Sequence, residues 1–142
     1  MILKLRQRMA QESGFTLVEL LVVMLILGIL AAIAIPAFLN QREKGQDAEA
    51  KADVRTAETA AETYATDNNG NYGAAMDQAA LTTIEPAVGD IDNIVVDGAA
   101  PAGGYTITKT SDSGRDFVLT RQANGAKART CANGGGCVGG TW

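Results

Sequence analysis

The chain has 142 residues, twelve Lys and Arg against sixteen Asp and Glu for a net charge of −4, and no histidine. That length allows one small domain beside a membrane segment, and the lack of His excludes a His-based metal site or catalytic triad. The acidic balance argues against broad binding along a nucleic-acid backbone, although a local basic patch stays open.

A leader carrying Lys4, Arg6 and Arg8 precedes a long apolar run, with no charge from Leu20 to Leu39. Twenty helical residues span about 30 Å, the thickness of bilayer hydrocarbon. The positive-inside rule places the N-terminus in the cytoplasm, with Arg42 and Lys44 weakening the asymmetry. A secretory signal would be cut after the apolar run, near Ala31, Ala32 and Ala34, which leaves Gly14 and Glu19 without a role. Glu19 sits just inside the run. An unpaired carboxylate in hydrocarbon costs about 3 kcal/mol or more. Thr16-x-x-Glu19 reads as a capping box, with the carboxylate at the positive end of the helix dipole. The cap does not explain an acid inside an apolar run; a cationic partner does.

The segment Gly14-Phe15-Thr16-Leu17-Val18-Glu19-Leu20-Leu21, continued by Gly28, Ile29, Ala31-Ala32-Ile33-Ala34-Ile35-Pro36 and Asn40-Gln41-Arg42, resembles the processing site and first helix of type IV prepilins. The resemblance covers residues 1–72; beyond them it is one of layout. It implies cleavage between Gly14 and Phe15 by a prepilin peptidase, N-methylation of Phe15, and pairing of Glu19 with the Phe15 amino terminus of a neighbouring subunit. It also implies that the stretch from Gly28 to Pro36 loses helicity in the filament. The implied fold is the α+β pilin fold, a long N-terminal helix packed on an antiparallel head of about four strands. Residues 1–14 are then a leader, 15–39 a transmembrane and filament-core helix, 40–66 its continuation on the head, and 67–142 the head. Loss of residues 1–14 leaves nine cations and fifteen anions, a net charge of −6.

The implied function is that of major structural subunit of a type IV pilus, serving adhesion, twitching motility or DNA uptake. It is not an enzyme and takes no cofactor or metal. Its partners are copies of itself, the prepilin peptidase, the assembly platform and motor, and the membrane before assembly; nucleic acid is not indicated. The chain would sit in the cytoplasmic or inner membrane with its head outside, then in an extracellular filament. Two other readings stay open, a pseudopilin of a type II secretion system and a membrane-anchored binding module.

After Pro36 the chain reads as helix to about Thr66. Ala50, Val54, Ala57, Ala61 and Tyr64 recur at helical spacing and give one weakly apolar face, with the charges expected outward. Asp47–Lys51 and Arg55–Glu58 are the expected pairs along the helix, and Gly45 its weak point. Asp67 to Asn71 stops it. Residues 74–83 predict a helical turn before Pro86. Strands are predicted at Ile91–Val96, Tyr105–Thr110, Asp116–Gln122 and Lys127–Cys131. Asp112-Ser113-Gly114 forms a turn, and Asn124-Gly125 the tip of a hairpin with positive φ angles. Short links imply an antiparallel meander whose inner face holds Ile94, Val96, Tyr105, Ile107, Phe117 and Leu119.

Cys131 and Cys137 close a loop of about seven residues if bridged, worth roughly 2 kcal/mol. An extracytoplasmic head favours the bridge over two free thiols. The bridge would tether the glycine-rich tail, with Trp142 docking on the head rather than at a subunit contact. Asp90-x-Asp92-Asn93 faintly resembles a calcium loop, as in the heads of some pseudopilins, but lacks the central Gly and distal Glu of an EF-hand. Arg115, Arg121, Lys127 and Arg129 read as a solvated strand face.

Overall fold

The computed structural model describes residues 14–73, 75–97, 103–132 and 134–142. All of the leader but Gly14, with Lys4, Arg6 and Arg8, lies outside the described residues. The chain divides into two compact units, one ending at Leu39 and the other running from Asn40 to Trp142.

Helix α1, Leu17–Asp67, contains Pro36 and is unbroken at Gly28 and Gly45. The expected weak point at Gly45 is not a break. One glycine costs a helix about 1 kcal/mol, and neighbours such as Glu43, Lys44, Gln46 and Ala48 favour helix enough to carry it. In the first unit the large apolar side chains from Phe15 to Leu39 are exposed. This stretch is long and apolar enough to cross a membrane.

In the second unit α1 ends where expected. Asn69 and Gly70 take positive φ, and the Gly70 amide donates to the Ala65 carbonyl at 2.6 Å. This left-handed exit satisfies a carbonyl of the last turn. Helix α2, Gln78–Ile84, is capped by Asp77, whose side chain accepts from the Ala80 amide. A 3₁₀ turn at Pro86–Asp90 leads into the sheet. Strands β1 Asn93–Asp97, β2 Gly104–Thr110, β3 Asp116–Arg121 and β4 Lys127–Cys131 form an antiparallel meander in sequence order.

Pairing sets Ile94 opposite Ile107, Ile107 opposite Leu119, and Leu119 opposite Arg129. Tyr105, Ile107, Phe117 and Leu119 are fully buried; Ile94 and Val96 pack at the margin. They meet Ala50, Val54, Ala57, Ala60, Ala61 and Ala65 of α1. The alanines leave room for the large side chains of the sheet, as close packing requires. Tyr64 is only partly buried.

The β2–β3 and β3–β4 hairpins have loops of three residues ending in a left-handed glycine, Gly114 and Gly125. The Asn-Gly tip differs from expectation, because Asn124 does not take positive φ. Its side chain accepts from the Ala126 amide instead, and Gly125 alone makes the reversal. That geometry suits a three-residue loop rather than a two-residue turn.

The charged residues also depart from expectation. Arg121 shares the inner face with Phe117 and Leu119, and Lys127 and Arg129 share it with Cys131, because side chains alternate every second residue. They pair with Glu58 and Glu62 of α1, Arg121 and Arg129 half-buried and Lys127 still exposed to solvent. Asp47 does not pair with Lys51, nor Arg55 with Glu58: Asp47 is buried against Arg115, and Arg55 lies over the Trp142 ring. The head side of α1 therefore carries both its alanines and its principal acids.

Candidate functional site

Gly14 and Phe15 precede α1, and a Cβ on Gly14 would have no neighbour within 4 Å. Phe15 is 74% exposed. The Glu19 amide donates to the Thr16 hydroxyl at 3.2 Å, so Thr16 caps the helix. Glu19 lies in the first turn and is exposed, and among the described residues its carboxylate makes no ion pair. An accessible junction, a capped helix start and an available acid at the head of an apolar surface thus share one turn. Gly28 and Pro36 lie within continuous helix.

Cys131 and Cys137 form a disulfide. The enclosed turn is held by a cluster that the sequence reading did not assemble. The Asp47 side chain is completely buried. It accepts from the Gly136 amide at 2.7 Å and from the Ser113 hydroxyl, and pairs with Arg115 at 3.3 Å. Arg115 also holds Glu43 at 2.9 Å, and the Lys51 ammonium donates to the Gly136 carbonyl. A side chain at Gly135 would collide with the Asp47 carboxylate and Arg115, so glycine is required there. The chain end is fixed nearby: the Trp142 indole N–H donates to the Thr130 carbonyl at 3.1 Å, and its ring meets Phe117 edge-on between Arg55 and Arg129. Sequence signal for Asp47 existed. It lies three residues before Ala50, in phase with the buried stripe.

Burial works to raise the Asp47 carboxyl, but hydrogen bonds from Ser113, Gly136 and Ser111, with the Arg115 charge, hold it below the ordinary aspartate range. Glu58 is likewise lowered, burial being outweighed by Lys127 and Arg129. Glu62 is lowered against burial by Tyr72, Lys127 and Tyr105. Burial and the Glu62 carboxylate push Tyr72 up to about 12, and raise Tyr105 as well. Asp53 is raised, chiefly by burial.

These directions set the pH response. A lowered carboxyl contributes stability above its unfolded value, near 4, and loses it as pH falls through its folded value. Asp53 acts oppositely and offsets part of the loss. The raised tyrosines contribute below about pH 10 and lose that contribution as pH rises further. Thermal unfolding should therefore be flat from about pH 5 to about pH 9 and fall on both sides. Glu62→Gln should flatten both flanks; steep flanks in that variant would show that Glu62 does not link them.

Of the aspartates in the faint calcium loop, Asp92 is engaged through its carboxylate and Asp90 only through its backbone carbonyl. The Thr110 amide donates to Asp92, and the Lys109 ammonium donates to the Asp90 carbonyl. No group of three or more acidic, Cys or His residues able to hold a metal occurs among the described residues.

Residues 9–35 match the family described as the prokaryotic N-terminal methylation motif. The chain is 42% identical over 59 residues to the type II secretion system core protein G of Aeromonas hydrophila, covering 42% of this chain and 41% of that protein. It is 43% identical over 54 residues to the type IV major pilin protein PilA of Myxococcus xanthus, covering 38% and 24%. Over 54 residues it is 46% identical to a fimbrial protein of Pseudomonas aeruginosa, covering 38% and 35%. The aligned part spans about two fifths of the length of the first of these relatives. No solved structure gave a significant match. The methylation motif, the likeness of about two fifths of the chain to pilins and secretion core proteins, and a four-stranded antiparallel sheet packed on a long helix together make this a type IV pilin-like protein with the pilin α+β fold.

Proposed function

We propose that the chain is a structural subunit, not an enzyme, of a helical type IV pilus, drawn from the membrane after cleavage between Gly14 and Phe15 and methylation of Phe15. The observation that carries this reading is the exposed apolar surface from Leu20 to Leu39 with the acid Glu19 at its start. Such a surface leaves lipid without a large penalty only by entering another apolar environment, and packed copies of the same helix supply one. Glu19 then meets the Phe15 amino terminus of a neighbour, and a head-to-tail contact that does not close propagates as a filament. A prepilin peptidase, an assembly platform and a motor complete the scheme. The head would lie outside the membrane and then on the filament surface, where an adhesive role would reside.

The secretion-system reading is favoured by the several core proteins among the relatives. Their similarity covers about two fifths of this chain, much as that of the pilin does. The closed Cys131–Cys137 loop and the engagement of the Asp92 carboxylate by the Thr110 amide support the pilus. The test is N-terminal sequencing and intact mass of filaments sheared from cells. A major component beginning at methylated Phe15 supports the pilus. A processed chain that stays in membranes and is missing from surface filaments supports the secretion reading, and an uncleaved Met1 start overturns both.

A further inference from the structure

Nine cations follow residue 14, and seven of them are engaged within the head on a carboxylate, a backbone carbonyl or an aromatic face. Arg42 and Lys44 are the other two. Both are exposed, and neither has an ion pair, hydrogen bond or ring contact among the described residues. The nearby acids are taken. Glu43 is held by Arg115, and Asp47, three residues after Lys44, is buried in the head. The two cations follow Leu39, the last residue of the charge-free run, by three and five positions, with only Asn40 and Gln41 before them.

We infer that Arg42 and Lys44, on opposite sides of α1, each bind the phosphate of an anionic lipid headgroup at the outer face of the membrane, together holding the unassembled subunit at a fixed depth. Long basic side chains can extend their charge to the headgroup layer while their methylenes remain against apolar surface. Each such cation near an anionic surface is worth about fivefold in binding, so the pair gives roughly tenfold to thirtyfold. The chemistry is selective by charge: a guanidinium and an ammonium bind phosphate strongly, and a zwitterionic headgroup answers them with a cation of its own. The contact must be broken when the subunit leaves the bilayer. The site therefore opposes premature extraction and favours release into a filament, where many contacts form together.

This proposal rests on the membrane reading above, and the experiment separates the two. Full-length chain in mild detergent is offered equal amounts of phosphatidylglycerol and phosphatidylcholine, and bound lipid is counted by native mass spectrometry. The phosphatidylglycerol preference should fall about tenfold or more in R42Q/K44Q and be unchanged in K109Q. Equal preference in R42Q/K44Q and the unaltered chain overturns the site, as does an equal loss in K109Q, which would indicate overall charge. Inorganic phosphate should compete weakly; complete displacement at millimolar concentration would make it a free-anion site and overturn the lipid assignment. Flotation with phosphatidylcholine vesicles reports the membrane reading independently, because insertion there needs the apolar run and not the two cations.

Discussion

Glu19→Gln should abolish surface filaments while leaving the amount of processed protein in the membrane unchanged or higher. The carboxylate is unfavourable in hydrocarbon by about 3 kcal/mol when unpaired, so replacing it with a neutral side chain stabilises the membrane-held state. The same change removes the partner of the Phe15 amino terminus and hence the register of assembly. At about 1.4 kcal/mol per factor of ten, loss of the membrane term alone shifts the balance away from the filament by about a hundredfold per subunit. Thr16→Ala separates this role from helix capping. It removes the acceptor of the Glu19 amide and costs about 1 kcal/mol of local helix stability while keeping the acid. Filaments should persist in Thr16→Ala and vanish in Glu19→Gln, as read by shearing and immunoblot against the membrane fraction. Wild-type filament yield from Glu19→Gln would sink the pairing; loss in both variants would assign the effect to the helix start.

What the sequence made legible follows from periodicity. Ala50, Val54, Ala57 and Ala61 had to share a helix face, and Phe117 and Leu119 had to share a sheet face, because only those phases bury the apolar residues. Sheet order followed from the short links between strands. The misreadings concern charge. Residue type alone sends Arg121, Lys127 and Arg129 to solvent, yet their alternation with Leu119 and Cys131 sets them on the inner face, where Lys127 stays exposed and Arg121 and Arg129 are half-buried. A small head with an alanine-lined helix has a core too narrow for its whole inner face. Its margin is therefore closed by basic side chains that lie along apolar surface and end on helix carboxylates, as with Arg121 over Tyr72 and on Glu62. Pairs along one helix looked attractive at i,i+4 spacing, but exposed pairs contribute only a few tenths of a kcal/mol. They yield to cross-element contacts with more hydrogen bonds. The Gly14–Glu19 motif was legible because it is local. The Asp47 cluster was not, because Ser113, Arg115 and Gly136 reach it only after the sheet and tail have folded.

That cluster makes Asp47→Ala the head substitution with the largest expected effect. The alanine leaves the Gly136 amide and the Ser113 hydroxyl without their acceptor. Hydrogen bonds to a charged group contribute about 1.5 to 3 kcal/mol each, and a buried donor left unpaired adds to the loss. Arg115 keeps its closer pair with Glu43, so loss of its contact with Asp47 adds little. A total of about 3 kcal/mol should lower the melting temperature of a head of this size by roughly 10 to 20 °C. Asp47→Asn keeps one acceptor oxygen and should lose less. The disulfide acts on the same turn, so the two devices are coupled. With Cys131 and Cys137 both replaced by Ser, the tail is held on β4 only by its backbone bonds and Trp142, and the acid has a looser turn to hold in place. Asp47→Ala should then cost less than half as much as in the oxidised chain, a non-additivity that a double-mutant cycle on thermal unfolding measures directly. Strict additivity would mean that Asp47 stabilises α1 against the Ser113 turn alone, with no part in anchoring the C-terminal loop.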